Sequence, residues 1–342
     1  MTKKFFSILT CLLLTLAVVT PPETAFAATI LPITASSALL LDNNSNHLIY
    51  AKNVNEKRAP ASTTKILTAM VAMDMLSLDT VVTIPKDAES IPPSKIFVRA
   101  GERYRVDDLL RATLIKSAND AATVLAIAAA GNEPSFAEMM NAKARSIGCR
   151  RSHFVHASGL PANDQYSTAY DMALIAKEAQ KYDFIDRTLR IRTMTIASLD
   201  GRKIPLKNHN KMLWRDSREI VGKTGWTRTA KHCFVGQIGP QSRASFVSML
   251  GSRSLWKDLK ILVDYVFGKA FGVVKRPRSL SAVQNKEIQL ALKKAGYDPG
   301  TADGVWGKSS KKALKRFQKA HGLKADGVAG PLTLEQLQKY QS

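Results

Sequence analysis

The stretch Ala59-Pro60-Ala61-Ser62-Thr63-Thr64-Lys65 opens an apolar segment that runs to Leu76. The apolar residues of this segment are spread around most of a helical wheel, which predicts a helix buried inside a domain. With about 3.6 residues per turn, Ser62 and Lys65 lie one turn apart on the same helix face. The lysine is therefore within reach of the serine hydroxyl and of its proton. The apolar residues are Ile66, Leu67, Met70, Val71, Met73 and Met75.

The Ser-x-x-Lys spacing is weak evidence by itself in a lysine-rich chain, because it recurs at Ser254/Lys257 and Ser309/Lys312. Only the Ser62 copy is followed, in chain order, by Ser117-Ala118-Asn119 and then by Lys223-Thr224-Gly225. A helix cap, a loop and an ordinary turn at these places would leave their common order unexplained. We therefore predict that the three elements form one site.

The residue types in these elements suit nucleophilic attack by a serine on a carbonyl carbon. A lysine can take the serine proton only where burial or a second cation destabilises its ammonium, and Lys223 would supply that cation to Lys65. Ser117 is predicted to pass the proton to the leaving amine, and Asn119 to hold the substrate amide. In Lys223-Thr224-Gly225, the first two residues would bind a terminal carboxylate. The glycine would let the substrate backbone approach a strand edge.

Residues 28–270 resemble the serine D-alanyl-D-alanine carboxypeptidases among the low-molecular-mass penicillin-binding proteins. The resemblance extends beyond the three elements to Ser158-Gly159-Leu160 and to Ser167 through Met172. It implies an α/β (α+β) domain of the serine DD-peptidase and β-lactamase-like type, with helices around an antiparallel sheet. It also implies an oxyanion hole formed by the backbone amides of Ser62 and Trp226.

The implied activity is removal of the terminal D-alanine from peptidoglycan stem pentapeptides through an acyl-enzyme on Ser62. Peptidoglycan is then the partner, β-lactams are covalent inhibitors, and neither a cofactor nor a metal is needed. Two positions depart from the family pattern. Lys231 stands where glycine is usual, and Trp256 stands near the place of an arginine that helps to bind the substrate carboxylate. Arg253 or Arg228 would have to compensate.

The N-terminus places Lys3 and Lys4 before an apolar run from Phe5 to Val19, which ends in Ala25-Phe26-Ala27. This pattern predicts a signal peptide over residues 1–27 and export to the periplasm, cell wall or extracellular space. The alternative, a retained membrane anchor, is disfavoured because the run is shorter than the roughly 20 residues that a spanning helix needs. We therefore expect no membrane span after cleavage.

The formal net charge of +22 predicts attraction to polyanions. For an exported protein these would be wall polymers and carboxylates rather than nucleic acid. Whether Cys149 and Cys233 form a disulfide is left open by the sequence. His153 and His156 lack a third metal ligand nearby, so we expect structural roles for them and for His232.

Several further elements of the first domain follow from periodicity. The apolar runs on either side of Asp42-Asn43-Asn44-Ser45 predict a hairpin, and helices are predicted from Asp120 to Ala130, from Ser135 to Ile147 and from Thr168 to Ala179. Strands are predicted at Arg190–Ala197, Phe234–Ile238 and Ala244–Leu250.

The C-terminal part begins with a predicted linker at 271–282, which lacks apolar periodicity. Residues 283–342 then show apolar patterns typical of three short helices, the third through Leu332, Leu334 and Leu337. Asp303-Gly304 and Asp326-Gly327 predict two similar turns with positive φ at glycine. This all-α region resembles the peptidoglycan-binding module of the three-helix type.

Three other functions remain as alternatives. Endopeptidase action on cross-links attacks the same D-Ala carbonyl, and the sequence does not separate it from carboxypeptidase action. A β-lactamase of the common serine class needs a positioned glutamate, and no Glu-x-x-Leu-Asn run follows Ser117. A non-catalytic wall-binding protein would have lost Ser62, Lys65 or Lys223, and all three are present.

Overall fold

The computed structural model describes residues 31–43, 48–240, 244–268 and 282–323, with single positions between 325 and 340. The predicted signal peptide at 1–27 lies outside the described residues, as does the predicted linker at 271–282 apart from Ala282. The chain divides into two compact units, of which the larger runs from Thr29 to Lys286 and includes Asp303–Trp306. Among the described residues, no helix combines the length and apolarity needed to cross a membrane.

The strands of the larger unit form one main sheet and two small hairpins. Their bounds are β1 (Ser37–Asp42), β2 (Leu48–Lys52), β3 (Val81–Thr83), β4 (Arg103–Arg105), β5 (Thr193–Ala197), β6 (Lys203–Lys207), β7 (Ile220–Thr227), β8 (Lys231–Ile238) and β9 (Ser245–Ser252). The main sheet is antiparallel in the order β2-β1-β9-β8-β7, whereas β3 pairs with β4 and β5 with β6. The first and last strands of the domain therefore lie side by side at its centre.

Both faces of the main sheet are buried, as the alternation of side chains along β1 shows. Leu39 and Leu41 pack into the apolar core shared with most of the helices, while Leu40 packs on the opposite face. The second core holds Leu255 and Leu259 of the helix that follows β9. The sheet thus lies between two apolar layers, which confirms the predicted arrangement of helices around an antiparallel sheet.

The helices are α1 (Lys65–Met75), α2 (Val106–Arg111), α3 (Asn119–Ala130), α4 (Glu133–Ile147), α5 (Ala169–Ala179), α6 (Asp183–Arg190), α7 (Met212–Arg215), α8 (Leu255–Val266), α9 (Ala282–Lys294) and α10 (Lys308–Ala320). The helix predicted from Ser62 is buried as expected, but its first turn, Ala61–Thr64, is a 3-10 turn. Thr168 caps α5 with its side chain, which accepts from the backbone N–H of Asp171.

The strand predicted at Arg190–Ala197 is too long. Arg190 is the last residue of α6, and β5 begins at Thr193. Arg190 bonds to Asp186 one turn earlier, at 2.8 Å, which is a helical i,i+4 pair. This pairing holds the start of the predicted strand in the helix.

In the C-terminal part, α9 and α10 enclose a small apolar core that includes Leu292 and Leu314. Phe317 packs edge-on against Tyr297, with ring centroids 5.4 Å apart. Gly304 and Gly327 have φ of 84° and 73°, so the predicted positive φ in both Asp-Gly turns is confirmed. Leu332 and Leu334 of the predicted third helix lie outside the described residues.

Candidate active site

The backbone before Ser62 is held in an uncommon conformation. Ala61 has a φ of 50°, in the left-handed region that a residue with a side chain rarely adopts. Gly159 lies directly against it, and a Cβ atom on Gly159 would come within 2.1 Å of the carbonyl oxygen of Ala61. Only glycine fits at that position. The close contact fixes the turn that presents Ser62 at the start of α1.

Lys65 is fully buried, and its Nζ atom lies among three oxygen atoms. It is 2.9 Å from Oγ of Ser62 and 2.7 Å from Oδ1 of Asn119. The third partner is the backbone carbonyl of Ser158. A neutral amine has two N–H donors and one lone pair, so the amide and the carbonyl can accept both hydrogens. The lone pair then remains for the hydroxyl proton of Ser62.

Burial and charge both favour the neutral form of Lys65. Burial contributes most to lowering its pKa well below the usual value, and the positive charge of Lys223 lowers it further. Lys223 is also buried, and burial lowers its pKa to about 7. Its Nζ donates to the carbonyl oxygen of Thr224 at 2.8 Å.

Ser117 and Asn119 lie where one helix ends and the next begins. Ser117 ends the π-helical turn Ala112–Lys116 with a φ of 62°, and Asn119 begins α3. Both residues are buried, and the Nδ2 group of Asn119 donates to the carbonyl oxygen of Pro92 at 2.9 Å. The amide of Asn119 is thereby oriented with its oxygen on Lys65.

Strand β7 carries Lys223-Thr224-Gly225 along the edge of the sheet and packs against the turn that holds Ser62. A Cβ atom on Gly225 would lie 3.0 Å from the backbone nitrogen of Ser62, which is tighter than ordinary contact. The following residue, Trp226, has 59% of its surface exposed. The structure therefore places the backbone of Gly225 and Trp226 beside the backbone amide of Ser62.

The two departures from the family pattern have structural consequences. Lys231, at the position where glycine is usual, has a φ of 57° at the start of β8, a conformation that glycine adopts without strain. Trp256 lies on α8 and packs against the second apolar core, so it adds no charge to the site. Arg228 and Arg253 are both exposed.

Sequence reasoning missed the contributions of backbone carbonyls and of His209. The carbonyls of Pro92 and Ser158 carry no sequence signal, although the glycine after Ser158 marks a close approach of the backbone. Burial, with smaller effects of the positive charges of Lys223, Lys116 and Lys65, lowers the pKa of His209 to about 4.

The cysteines and histidines that the sequence offered as disulfide or metal candidates have structural contacts instead. Cys149 and Cys233 are free, buried thiols. His153 contacts the carbonyl oxygen of Asp164 at 2.7 Å, and His156 lies 3.5 Å from the Glu133 carboxylate. Within the described part of the chain, no cluster of His, Cys, Asp or Glu side chains has the arrangement of a metal site.

The fold and the site together define a serine hydrolase of the DD-peptidase class, in which Lys65 lies beside Ser62. A family model described as D-alanyl-D-alanine carboxypeptidase matches residues 23–251, and a second, described as a peptidoglycan binding domain, matches residues 282–337. The chain belongs to the D-alanyl-D-alanine carboxypeptidase family and carries a peptidoglycan binding domain after the catalytic part.

The chain is similar in sequence to relatives that carry different named activities. The D-alanyl-D-alanine carboxypeptidase DacF of Bacillus subtilis is 33% identical over 263 residues, which cover 74% of this chain and 68% of DacF. The D-alanyl-D-alanine endopeptidase of Escherichia coli is 34% identical, over 59% of this chain and 66% of the relative. A solved mutant of the Streptomyces K15 DD-transpeptidase superposes with a TM-score of 0.64 at 28% identity, over 69% of this chain and 98% of that one.

Proposed function

We propose that the enzyme removes the terminal D-alanine of peptidoglycan stem pentapeptides through an acyl-enzyme on Ser62. The Oγ atom of Ser62 attacks the carbonyl carbon of the penultimate D-alanine while its proton passes to the neutral amine of Lys65. The carbonyl oxygen becomes an oxyanion, which accepts from the backbone amides of Ser62 and Trp226.

The C–N bond then breaks, and the leaving amine of D-alanine takes up a proton through Ser117. Asn119 binds the substrate amide, while Lys223 and Thr224 hold the carboxylate of the leaving residue. Water next attacks the acyl carbon, the bond to Oγ breaks, and the Ser62 hydroxyl regains its proton. Every step uses side chains and backbone groups of this chain.

The observation that carries the proposal is the arrangement of hydrogen-bond partners around Lys65. Two acceptors occupy its N–H groups, so its lone pair is directed to the hydroxyl of Ser62. An ammonium in this position would be buried beside a second cation, which disfavours it. Burial and the charge of Lys223 therefore favour the form of Lys65 that accepts a proton.

The direct test measures release of D-alanine from a soluble pentapeptide that ends in D-Ala-D-Ala. We expect release by the intact protein and none above background with Ser62→Ala. Release that survives in the variant would assign the reaction to another residue. A cross-linked muropeptide dimer in the same assay compares endopeptidase action, which is a second candidate because one relative carries that name.

The rate of acylation is expected to depend on pH through Lys65. Because the neutral amine is the base, the rate should fall on the acid side as Lys65 takes up a proton. In Lys223→Met the neighbouring cation is absent, so the pKa of Lys65 rises and the acid limb should move to higher pH. Stopped-flow measurement of acylation by a chromogenic β-lactam across pH checks this expectation. An acid limb that stays in place or moves to lower pH would contradict it.

We also propose that the enzyme is exported and acts on the wall with its C-terminal region, predicted at 283–342, as a tether. The matched peptidoglycan binding domain supports this proposal, as does the excess of basic residues on α10. A tether raises the local concentration of the catalytic part near its polymeric substrate without taking part in bond cleavage.

Deletion of residues 283–342 should leave release of D-alanine from a small soluble peptide nearly unchanged. The same deletion should reduce both sedimentation with purified sacculi and activity on them, because the tether is lost. Circular dichroism must first show that the truncated protein is folded. Equal loss of activity on both substrates would mean that the C-terminal region supports the catalytic part structurally.

A further inference from the structure

Asp120, the residue after Asn119, is a fully buried carboxylate in the first turn of α3. Its oxygen atoms accept from the backbone N–H groups of Ile96 at 3.1 Å, Val98 at 3.2 Å and Ala121 at 2.9 Å. A buried charge is costly unless such bonds compensate for lost water. Two of the three donors come from a segment more than twenty residues earlier in the chain.

That segment, residues 92–98, is also hydrogen-bonded to the predicted Ser-Ala-Asn element. The carbonyl of Ser94 accepts from the backbone N–H of Asn119 at 2.7 Å. The hydroxyl of Ser94 donates to the carbonyl of Lys116 at 3.1 Å. The carbonyl of Pro92 accepts from the side-chain amide of Asn119 at 2.9 Å. The position of the 92–98 segment therefore determines which way the amide of Asn119 is turned.

The 92–98 segment contains one residue with a strained backbone conformation. Phe97, between the two amides that bond to Asp120, has a φ of 58° and exposes 66% of its surface. A non-glycine residue in this region is strained and persists where its surroundings enforce it. The bonds of Ile96 and Val98 to the carboxylate hold the backbone on both sides of Phe97, and Arg202 donates to the carbonyl oxygen of Phe97 at 3.1 Å.

We propose that Asp120 is a positioning residue for the reaction, which fixes the 92–98 segment and through Pro92 keeps the amide oxygen of Asn119 on Lys65. The inference rests on the proposed function of Lys65 as the base. Without the carboxylate, the segment loses the bonds of Ile96 and Val98, so the carbonyl of Pro92 can shift and the amide of Asn119 can rotate. An N–H group would then face Lys65 in place of an acceptor, and the lone pair would lose its direction toward Ser62.

The charge of Asp120 acts on Lys65 in addition to these contacts. The charged groups that face Lys65 are Lys223, which lowers its pKa, and Asp120 and Glu133, which raise it. His209 also lies within electrostatic reach. Neutralising Asp120 while the other three are kept should therefore lower the pKa of Lys65 further.

The test is Asp120→Asn in the full chain, followed by acylation with a chromogenic β-lactam across pH. We expect the acylation rate to fall by about 10- to 100-fold, as for a small misplacement of reacting groups. We also expect the acid limb of the pH profile to move to lower pH. Loss of the charge moves the limb in either case, so the positioning role is measured by the rate on the plateau of the profile. A purely structural role would lower the melting temperature and leave that plateau rate at the parental value.

Asp171→Asn is the matched control. Asp171 is likewise a buried carboxylate in the first turn of a helix, and it accepts from the backbone N–H of Arg151 at 2.8 Å and the hydroxyl of Ser152 at 2.6 Å. Neither partner belongs to the three elements of the site. This variant should lose stability while its rate and pH profile stay as in the parent.

A double variant tests whether Asp120 acts through Asn119. Asn119→Ala combined with Asp120→Asn should be acylated no more slowly than Asn119→Ala alone, because coupled residues are not additive. Additive losses would overturn the proposal, and so would a parental rate and profile in Asp120→Asn.

A second variant applies if Asp120→Asn does not fold. Ser94→Ala releases the segment from Lys116 and should lower the acylation rate several-fold. A parental rate in Ser94→Ala would overturn the proposal. Failure of Ser62→Ala to abolish activity would instead overturn the proposed function.

Discussion

A fluorescent penicillin is expected to label the intact protein covalently, and Ser62→Ala should abolish that label. A β-lactam presents a strained amide and a carboxylate to the groups that would hold D-Ala-D-Ala. Attack by Oγ opens the ring and leaves a stable ester on Ser62. Mass spectrometry of the labelled peptide should find the added mass on the fragment that contains this residue.

The other two Ser-x-x-Lys matches supply controls for this experiment. Ser254 directly precedes α8, and Ser309 lies on α10; neither is accompanied by an Asn element or a Lys-Thr-Gly strand. Ser254→Ala and Ser309→Ala should be labelled as fast as the parent. An adduct at either serine, or labelling that persists in Ser62→Ala, would contradict the assignment of the nucleophile.

The second large effect is expected from Lys65→Met. Methionine is similar in length and apolar, so the buried site should accept it with the fold retained, whereas no group remains to take the proton of Ser62. A positioned general base contributes on the order of 10²–10⁴-fold to a rate, and acylation should fall by that amount. Gel-based kinetics with the fluorescent penicillin measure this loss.

A parallel thermal melt shows whether the Lys65→Met protein is folded. The Lys65 amine donates to Asn119 and Ser158, so its loss leaves two buried acceptors without that donor, and the melting temperature should fall moderately while the fold is retained. A folded variant that is acylated at nearly the parental rate would require a different base. His209 and Lys223 would then be the groups to substitute next.

The proximity of Ser62 and Lys65 could be predicted because the two residues are close in sequence. Ser62 and Lys65 are three residues apart on one helix, so spacing alone brings them together. The partners of Lys65 come from much farther along the chain, since Asn119 is 54 residues away and Ser158 is 93. Asn119 was still found because its motif is recognisable. The carbonyl of Ser158 could not be, because any residue offers one.

The role of Asp120 was hidden for a similar reason. In the sequence it reads as an acidic residue in the first turn of a helix, which is a common preference and needs no further explanation. Its bonds to Ile96 and Val98 arise from the path of a loop, which periodicity does not predict. The order and type of most helices and strands followed from apolar patterns, while short elements such as α7 and the β3-β4 hairpin gave too little pattern to detect.

The position of β7 at the edge of the sheet limits which substitutions can alter a ligand site formed along this strand. In the described sheet, β7 has a neighbour on one side only, so the backbone of Lys223-Thr224-Gly225 is available on the other. A ligand that lies along this edge bonds to main-chain atoms, which side-chain substitutions other than proline leave in place. Variants that discriminate between a natural peptide and an antibiotic must therefore shift the strand or alter its surroundings. Gly225, pressed against the Ser62 amide, leaves little room for such a shift. Under the proposed function, evolution of resistance within this pocket would be constrained by the backbone more than by the identity of side chains.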